Sequence, residues 1–125
     1  MKSIILVMTG GALGAVMRFG LARALPIGAG GWPWATFAAN VIGGFAVGVL
    51  AAWLLRGENA AEPLRLFLGV GVLGGFTTFS AFSLEMAQMV ERGQAMLAGG
   101  YALASVILAL VAVFAGMMLA RTIWA

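Results

Sequence analysis

Leu66-Phe67-Leu68-Gly69-Val70-Gly71-Val72-Leu73-Gly74-Gly75-Phe76-Thr77-Thr78-Phe79-Ser80-Ala81-Phe82-Ser83-Leu84 is a run without a single charge. It is long enough to cross a bilayer core, which takes about 20 apolar residues in a helix. Its second half, from Gly74 to Ser83, concentrates glycine, hydroxyls and phenyl rings and is unlike an ordinary lipid-facing helix. Adjacent glycines followed by β-branched threonines weaken a helix locally, and carbonyls freed by a break at membrane depth must be satisfied by protein, water or an ion. The segment therefore predicts a third helix broken at its centre, a common device for holding ions. The alternative is an intact helix whose threonine and serine hydroxyls bond back to the preceding turn.

Three further stretches flank this one: Ile4 to Leu25, Trp32 to Leu55 and Ala95 to Ala120. With 63% hydrophobic and 9% charged residues, the chain needs lipid rather than water over most of its surface. The expectation is an all-α integral membrane protein, a single domain over 1–125 with spans at about 4–25, 32–55, 64–90 and 95–120. The start at Met1-Lys2-Ser3 is taken as an uncleaved first helix, since the apolar pattern runs past Arg18 to Leu25 without a cleavage site. The spans leave no room for a nucleotide-binding loop or a soluble domain. Cysteine and histidine are absent, which removes disulfides, zinc and haem ligation and histidine acid/base chemistry. The net charge of +3 is carried by residues beside the spans, so they read as interfacial anchors and not as a nucleic-acid footprint.

The connections are short. Pro26 to Gly31 precedes Trp32-Pro33-Trp34, where indoles suit the headgroup layer and proline suits a helix start. Arg56 to Pro63 holds two of the four acids, and Glu91-Arg92-Gly93-Gln94 turns the chain between the last two spans. Four crossings place Lys2, Arg56, Arg65 and Arg121 on one side and Arg18, Arg23 and Arg92 on or toward the other. That near balance permits insertion in either direction and hence an antiparallel pair of identical subunits.

Glycines four apart, at Gly10 and Gly14, Gly44 and Gly48, and Gly71 and Gly75, let helices touch closely. Helices packed that tightly leave space only for a small permeant or for one that travels between subunits. Neutral donors sit at membrane depth: Asn40 with Thr36 one turn before it, and Tyr101 with Ser105 one turn after. An anion shedding its water needs such donors, whereas a fixed positive charge would trap it. Interhelical hydrogen bonding without transport is the competing reading for these groups. Phe79 and Phe82 share a helical face, and the positive rim of a phenyl ring can face an anion, although most membrane phenylalanines simply pack. Arg18 and Glu85 are the ionisable residues nearest membrane depth, where charge is costly enough to suggest a role; the plainer readings are snorkelling for Arg18 and a solvated helix end or an arginine partner for Glu85.

Three blocks then carry a resemblance: Gly10-Gly11-Ala12-Leu13-Gly14-Ala15-Val16-Met17-Arg18, Thr36-Phe37-Ala38-Ala39-Asn40-Val41-Ile42-Gly43 and Gly74-Gly75-Phe76-Thr77-Thr78-Phe79-Ser80. In order and spacing the chain resembles the CrcB/Fluc fluoride channels along essentially its whole length. The resemblance implies an antiparallel, dual-topology homodimer with two fluoride pathways at the subunit interface and a structural sodium ion at its centre. It implies sodium held by the backbone carbonyls of Gly74 and Thr77 from both subunits, and a fluoride pathway of Asn40, Phe79, Phe82, Tyr101, Ser105, Thr36 and Ser80, with Arg18 near the vestibule. Two departures stand out: Ala81 where many members have threonine or serine, and Phe19 where tyrosine or tryptophan is frequent. The implied activity is passive export of fluoride across the cytoplasmic membrane, because hydrogen fluoride enters as a neutral acid and dissociates inside.

Two other classes compete. A proton-coupled exporter of organic cations needs a buried acid, and Glu85, near the end of its span, is poorly placed for that task. A non-transporting scaffold would use the glycine faces to bind another membrane protein. Enzyme chemistry finds no acid, histidine, cysteine or metal cluster to work with, and the serines lack a base.

Overall fold

The computed structural model describes residues 1–28, 30–56 and 62–123; Ala29, most of the expected loop from Arg56 to Pro63 and the last two residues lie outside them. Helix α1 is Lys2–Ala24 and α2 is Trp34–Arg56. Three consecutive helical pieces, Glu62–Leu64, Arg65–Leu73 and Gly74–Phe76, make α3 (62–76). Helix α4 is Ser80–Glu91 and α5 is Ala95–Ile123. Among the described residues, four helical stretches are long and apolar enough to cross a membrane: Lys2–Ala24, Trp34–Leu54, Glu62–Glu91 and Ala95–Ile123. Helices α1, α2 and α5 are apolar all round, which suits a helix with lipid or protein on every side.

Local chemistry sets the ends. Pro33, fully buried, cannot donate and accepts from Phe37 N–H at 3.0 Å, so it stands at the first turn of α2 where a missing donor costs nothing. The α4 to α5 turn is closed by Gly93, whose φ of 80° falls where only glycine is at ease. Gly93 N–H reaches Val90 O at 3.0 Å and Gln94 N–H reaches Met89 O at 2.8 Å, the paired bonds of a Schellman stop.

The middle piece of α3 is wound as a π-helix: Gly74 N–H still reaches back five residues to Gly69 O. Such wide turns are rare and concentrate near functional positions. Here they lie directly before the point at which the helix stops.

Packing comes in two pairs. Helix α1 runs along α3, where the backbone of Gly10 and Gly14 meets that of Phe67, Gly71, Val72 and Phe76. Helix α2 runs along α5, with Gly44 and Gly48 against Ala109 and Val113, and Gly116 against Phe45 and Val49. The glycine pairs are therefore helix contacts, and Gly116 joins them without a four-residue partner. The buried cluster is small: Phe82, Met89, Ala98 and Tyr101, flanked by Trp32, Phe37 and Leu97. Large apolar side chains such as Ile4, Met8, Val16, Val106 and Phe114 stay exposed, as lipid-facing positions require.

Candidate functional site

Helical backbone ends at Phe76, Thr77 is extended at φ −85° and ψ 158°, and helix resumes at Ser80. The hydrogen bonds across this interruption can be followed atom by atom. Thr77 remains tied to the upstream turn, its N–H and Oγ1 both donating to Leu73 O at 3.0 and 2.9 Å. In a continuous helix Thr78 N–H would go to Gly74 O. It goes instead to Asn40 Oδ1 at 2.9 Å, and Asn40 Nδ2 donates to Thr78 O at 3.0 Å. Ala81 N–H, due to Thr77 O in a continuous helix, goes to Thr78 Oγ1 at 3.1 Å. Gly75 O receives Arg18 Nε at 3.3 Å. Gly74 O and Thr77 O, the carbonyls expected to face a cation, thus lose the donors a continuous helix would give them, while Gly75 O and Thr78 O take side-chain donors from Arg18 and Asn40.

Beside the interruption opens a cleft of about 540 Å³ between α2, α3, α4 and α5. Asn40, Gly74, Thr77, Phe79, Phe82 and Ser105 all line it, together with apolar residues of α2 and α5. Ser105 is 5% exposed and its Oγ has no hydrogen-bond partner. A hydroxyl buried without a partner is costly, so its place on a cleft wall marks a donor available to whatever enters. Asn40 keeps a second Nδ2 hydrogen beyond the one given to Thr78. The rings of Phe79 and Phe82 lie 5.9 Å apart and tilted by 47°. Phe82 is buried, whereas Phe79 is 77% exposed at the mouth of the cleft.

The remaining expected residues do not line the cleft. Tyr101 OH donates to Glu85 Oε1 at 2.9 Å and Thr36 Oγ1 donates to Glu85 Oε2 at 2.7 Å. Tyr101 is fully buried, with Phe82 at 5.0 Å and Trp32 at 5.2 Å between ring centroids, so its hydroxyl is aimed by ring packing. Ser80 is exposed, its Oγ 3.5 Å from Thr78 Oγ1. Arg18 is drawn to the interruption itself through Gly75 O.

Two residues were given no firm role by sequence reasoning. Glu85 collects two of the four hydroxyls expected to face the permeant, those of Thr36 and Tyr101; its position as an acid at membrane depth was the signal available. Thr78 caps the downstream helix, and a threonine three residues before Ala81 at a suspected break is the spacing of an N-cap acceptor. Among the described residues, histidine, cysteine and acids do not cluster into a metal-binding group.

Comparison with known proteins identifies the family. A family model described as CrcB-like protein, Camphor Resistance (CrcB), matches residues 5–117. A protein of Hyphomonas neptunium named fluoride-specific ion channel FluC is 50% identical, with 100% of both chains covered. Proteins of the same name from Caulobacter vibrioides and Phenylobacterium zucineum are 49% and 54% identical, again over the full length of both chains. With a family model over nearly the whole sequence and relatives at half identity from end to end, this multi-pass membrane chain belongs to the CrcB family.

Proposed function

We propose that the chain is one subunit of a fluoride channel that lets the anion leave the cytoplasm down its electrochemical gradient. The observation that carries the reading is the cleft. It puts a buried, unpartnered hydroxyl, an amide with a hydrogen to spare and two phenyl rings on one wall system, next to a backbone interruption. Neutral donors can replace the hydration of a small anion without holding it, and ring edges offer weak positive potential. The name carried by relatives at about half identity supports fluoride as that anion.

Two opposed copies complete the site in this reading. Phe79, 77% exposed at the cleft mouth, is then covered by the second subunit. With Arg18 engaged at Gly75 O, the cations at the helix ends number four, Lys2, Arg56, Arg65 and Arg121, against Arg23 and Arg92, an excess small enough for insertion both ways. Sodium fits the donor set, since the freed carbonyls of Gly74 and Thr77 are hard oxygen ligands and two copies would offer four of them. Bound there, the ion would neutralise the carbonyl dipoles and tie the subunits together. The membrane is the cytoplasmic one, where passive export protects the cell.

The deciding experiment is anion efflux from liposomes holding the purified protein, with fluoride and chloride compared under a potassium–valinomycin potential. Rapid fluoride efflux with negligible chloride efflux is expected. Intact protein that moves neither ion, or both equally, overturns the assignment.

A further inference from the structure

We propose that Asn40 and Thr78 are positioning residues that hold the Gly74 and Thr77 carbonyls open by taking the two N–H groups that would otherwise close on them. The proposal rests on reading those carbonyls as a cation-holding pair and adds the means by which the chain keeps them free. A helix heals by default: every N–H seeks the carbonyl four residues back, and an unpaired one at membrane depth costs several kcal/mol. Glycine and threonine weaken the helix at 74–78 but do not forbid those bonds. What prevents them is a better offer to each donor.

Thr78 N–H has its offer from Asn40 Oδ1 at 2.9 Å, on another helix. The same amide returns a bond from Nδ2 to Thr78 O at 3.0 Å, so one side chain grips the peptide groups on both sides of Thr78. Only a carboxamide supplies an acceptor and a donor in that arrangement; a carboxylate lacks the donor and a hydroxyl lacks the span. Ala81 N–H has its offer from Thr78 Oγ1 at 3.1 Å, which caps the resumed helix as an N-cap side chain does. The clamp is therefore a relay: α2 fixes Thr78 through Asn40, and Thr78 fixes the start of α4. Each link withdraws one N–H from one carbonyl of the pair. Asn40 is in consequence largely spent on structure, with one Nδ2 hydrogen left to face the cleft.

The relay separates from a plain pathway role by experiment. Full-length wild type, T78V, T78S and N40D are purified, and two quantities are read: backbone amide exchange at Thr78 and Ala81, and thermal melting over a sodium series with N-methylglucamine replacing sodium. T78V preserves shape but removes the hydroxyl. Its Ala81 N–H is expected to turn to Thr77 O, and the sodium concentration for half-maximal protection to rise about tenfold. T78S restores the hydroxyl and is expected to match wild type in both readouts. N40D keeps an acceptor for Thr78 N–H, so that amide stays protected, but loses the donor to Thr78 O and shifts the sodium midpoint in the same direction as T78V.

A T78V sodium midpoint equal to wild type, or T78S behaving as T78V, overturns the proposal. If wild type shows no sodium-dependent protection, the cation reading falls, and amide exchange decides the relay alone: an unaltered Ala81 amide in T78V overturns it. Should T78V fail to assemble, N40D carries the test, and an N40D midpoint equal to wild type overturns the proposal. Fluoride flux enters neither readout, so failure of the channel assignment and failure of the relay remain distinct.

Discussion

Gly14→Ala is expected to loosen α1 from α3 and, through that, the interruption itself. A methyl on Gly14 would meet only backbone: the Val72 carbonyl oxygen, Phe76 N at 2.8 Å and Val72 C at 2.9 Å. Ordinary contact begins near 3.4 Å, so α1 must retreat by about 0.6 Å or more at this level. The three nearest atoms are all backbone and cannot swing aside. Overpacking of this kind costs about 1–3 kcal/mol, from which alanine's better helix propensity returns up to about 1 kcal/mol. A net loss of roughly 1–2 kcal/mol is expected. Arg18 stands one turn further along α1, and its bond to Gly75 O is already long at 3.3 Å, so the same retreat breaks it. The control is Gly20→Ala, where a methyl meets nothing within 4 Å and stability should hold or rise slightly. Reversible unfolding in mixed micelles, followed by tryptophan fluorescence, gives both free energies. Equal stabilities for the two variants would refute the claim that backbone contact at Gly14 sets the α1 to α3 distance.

Ser105→Ala removes a buried hydroxyl that bonds to nothing in the protein, so its melting temperature should stay level or rise while fluoride efflux from liposomes falls. Tyr101→Phe withdraws the donor to Glu85 Oε1 without changing ring packing; a loss of about 1–3 kcal/mol is expected in the same unfolding assay. Phe82→Ala empties a buried position and should cost about 3–5 kcal/mol in that assay. Phe79→Ala, at a ring 77% exposed in the single chain, should leave subunit stability within about 0.5 kcal/mol and act on efflux and on association of two copies, read by single-molecule photobleaching in lipid.

The four apolar stretches were legible because lipid imposes one requirement on every exposed side chain, and a run such as Ala95 to Ala120 has no other explanation. The weak point at Gly74 to Thr78 was legible too, from residues with poor helix propensity at membrane depth. What sequence did not disclose was which partners take over the hydrogen bonds. Asn40 lies 38 residues from Thr78, and nothing in either local pattern marks them as a pair. The roles of Thr36 and Tyr101 were hidden for the same reason. A hydroxyl is both donor and acceptor, and only the placement of Glu85 against both shows which way their protons go. The π-wound stretch Arg65–Leu73 left no trace in composition.

The direction of those protons bears on how an anion could pass. Each hydroxyl has one hydrogen, and Thr36 and Tyr101 both give theirs to Glu85. Neither can then donate to a passing anion while the carboxylate is charged and in place. A charged carboxylate is also a repulsive neighbour: two unit charges 4 Å apart interact by about 4 kcal/mol at an effective dielectric of 20. On the proposed reading the donors free to meet the ion are Ser105 Oγ and the spare hydrogen of Asn40, both residues on the wall of the cleft. Thr36, Tyr101 and Glu85 lie outside the lining of that cleft, and the two hydroxyl protons there are already spent on the carboxylate. On the proposed reading, an ion that reached these hydroxyls would have to displace the carboxylate from them. On the proposed reading the donors that serve the ion are therefore those of the cleft, and the Glu85 group is a place where it would gain none.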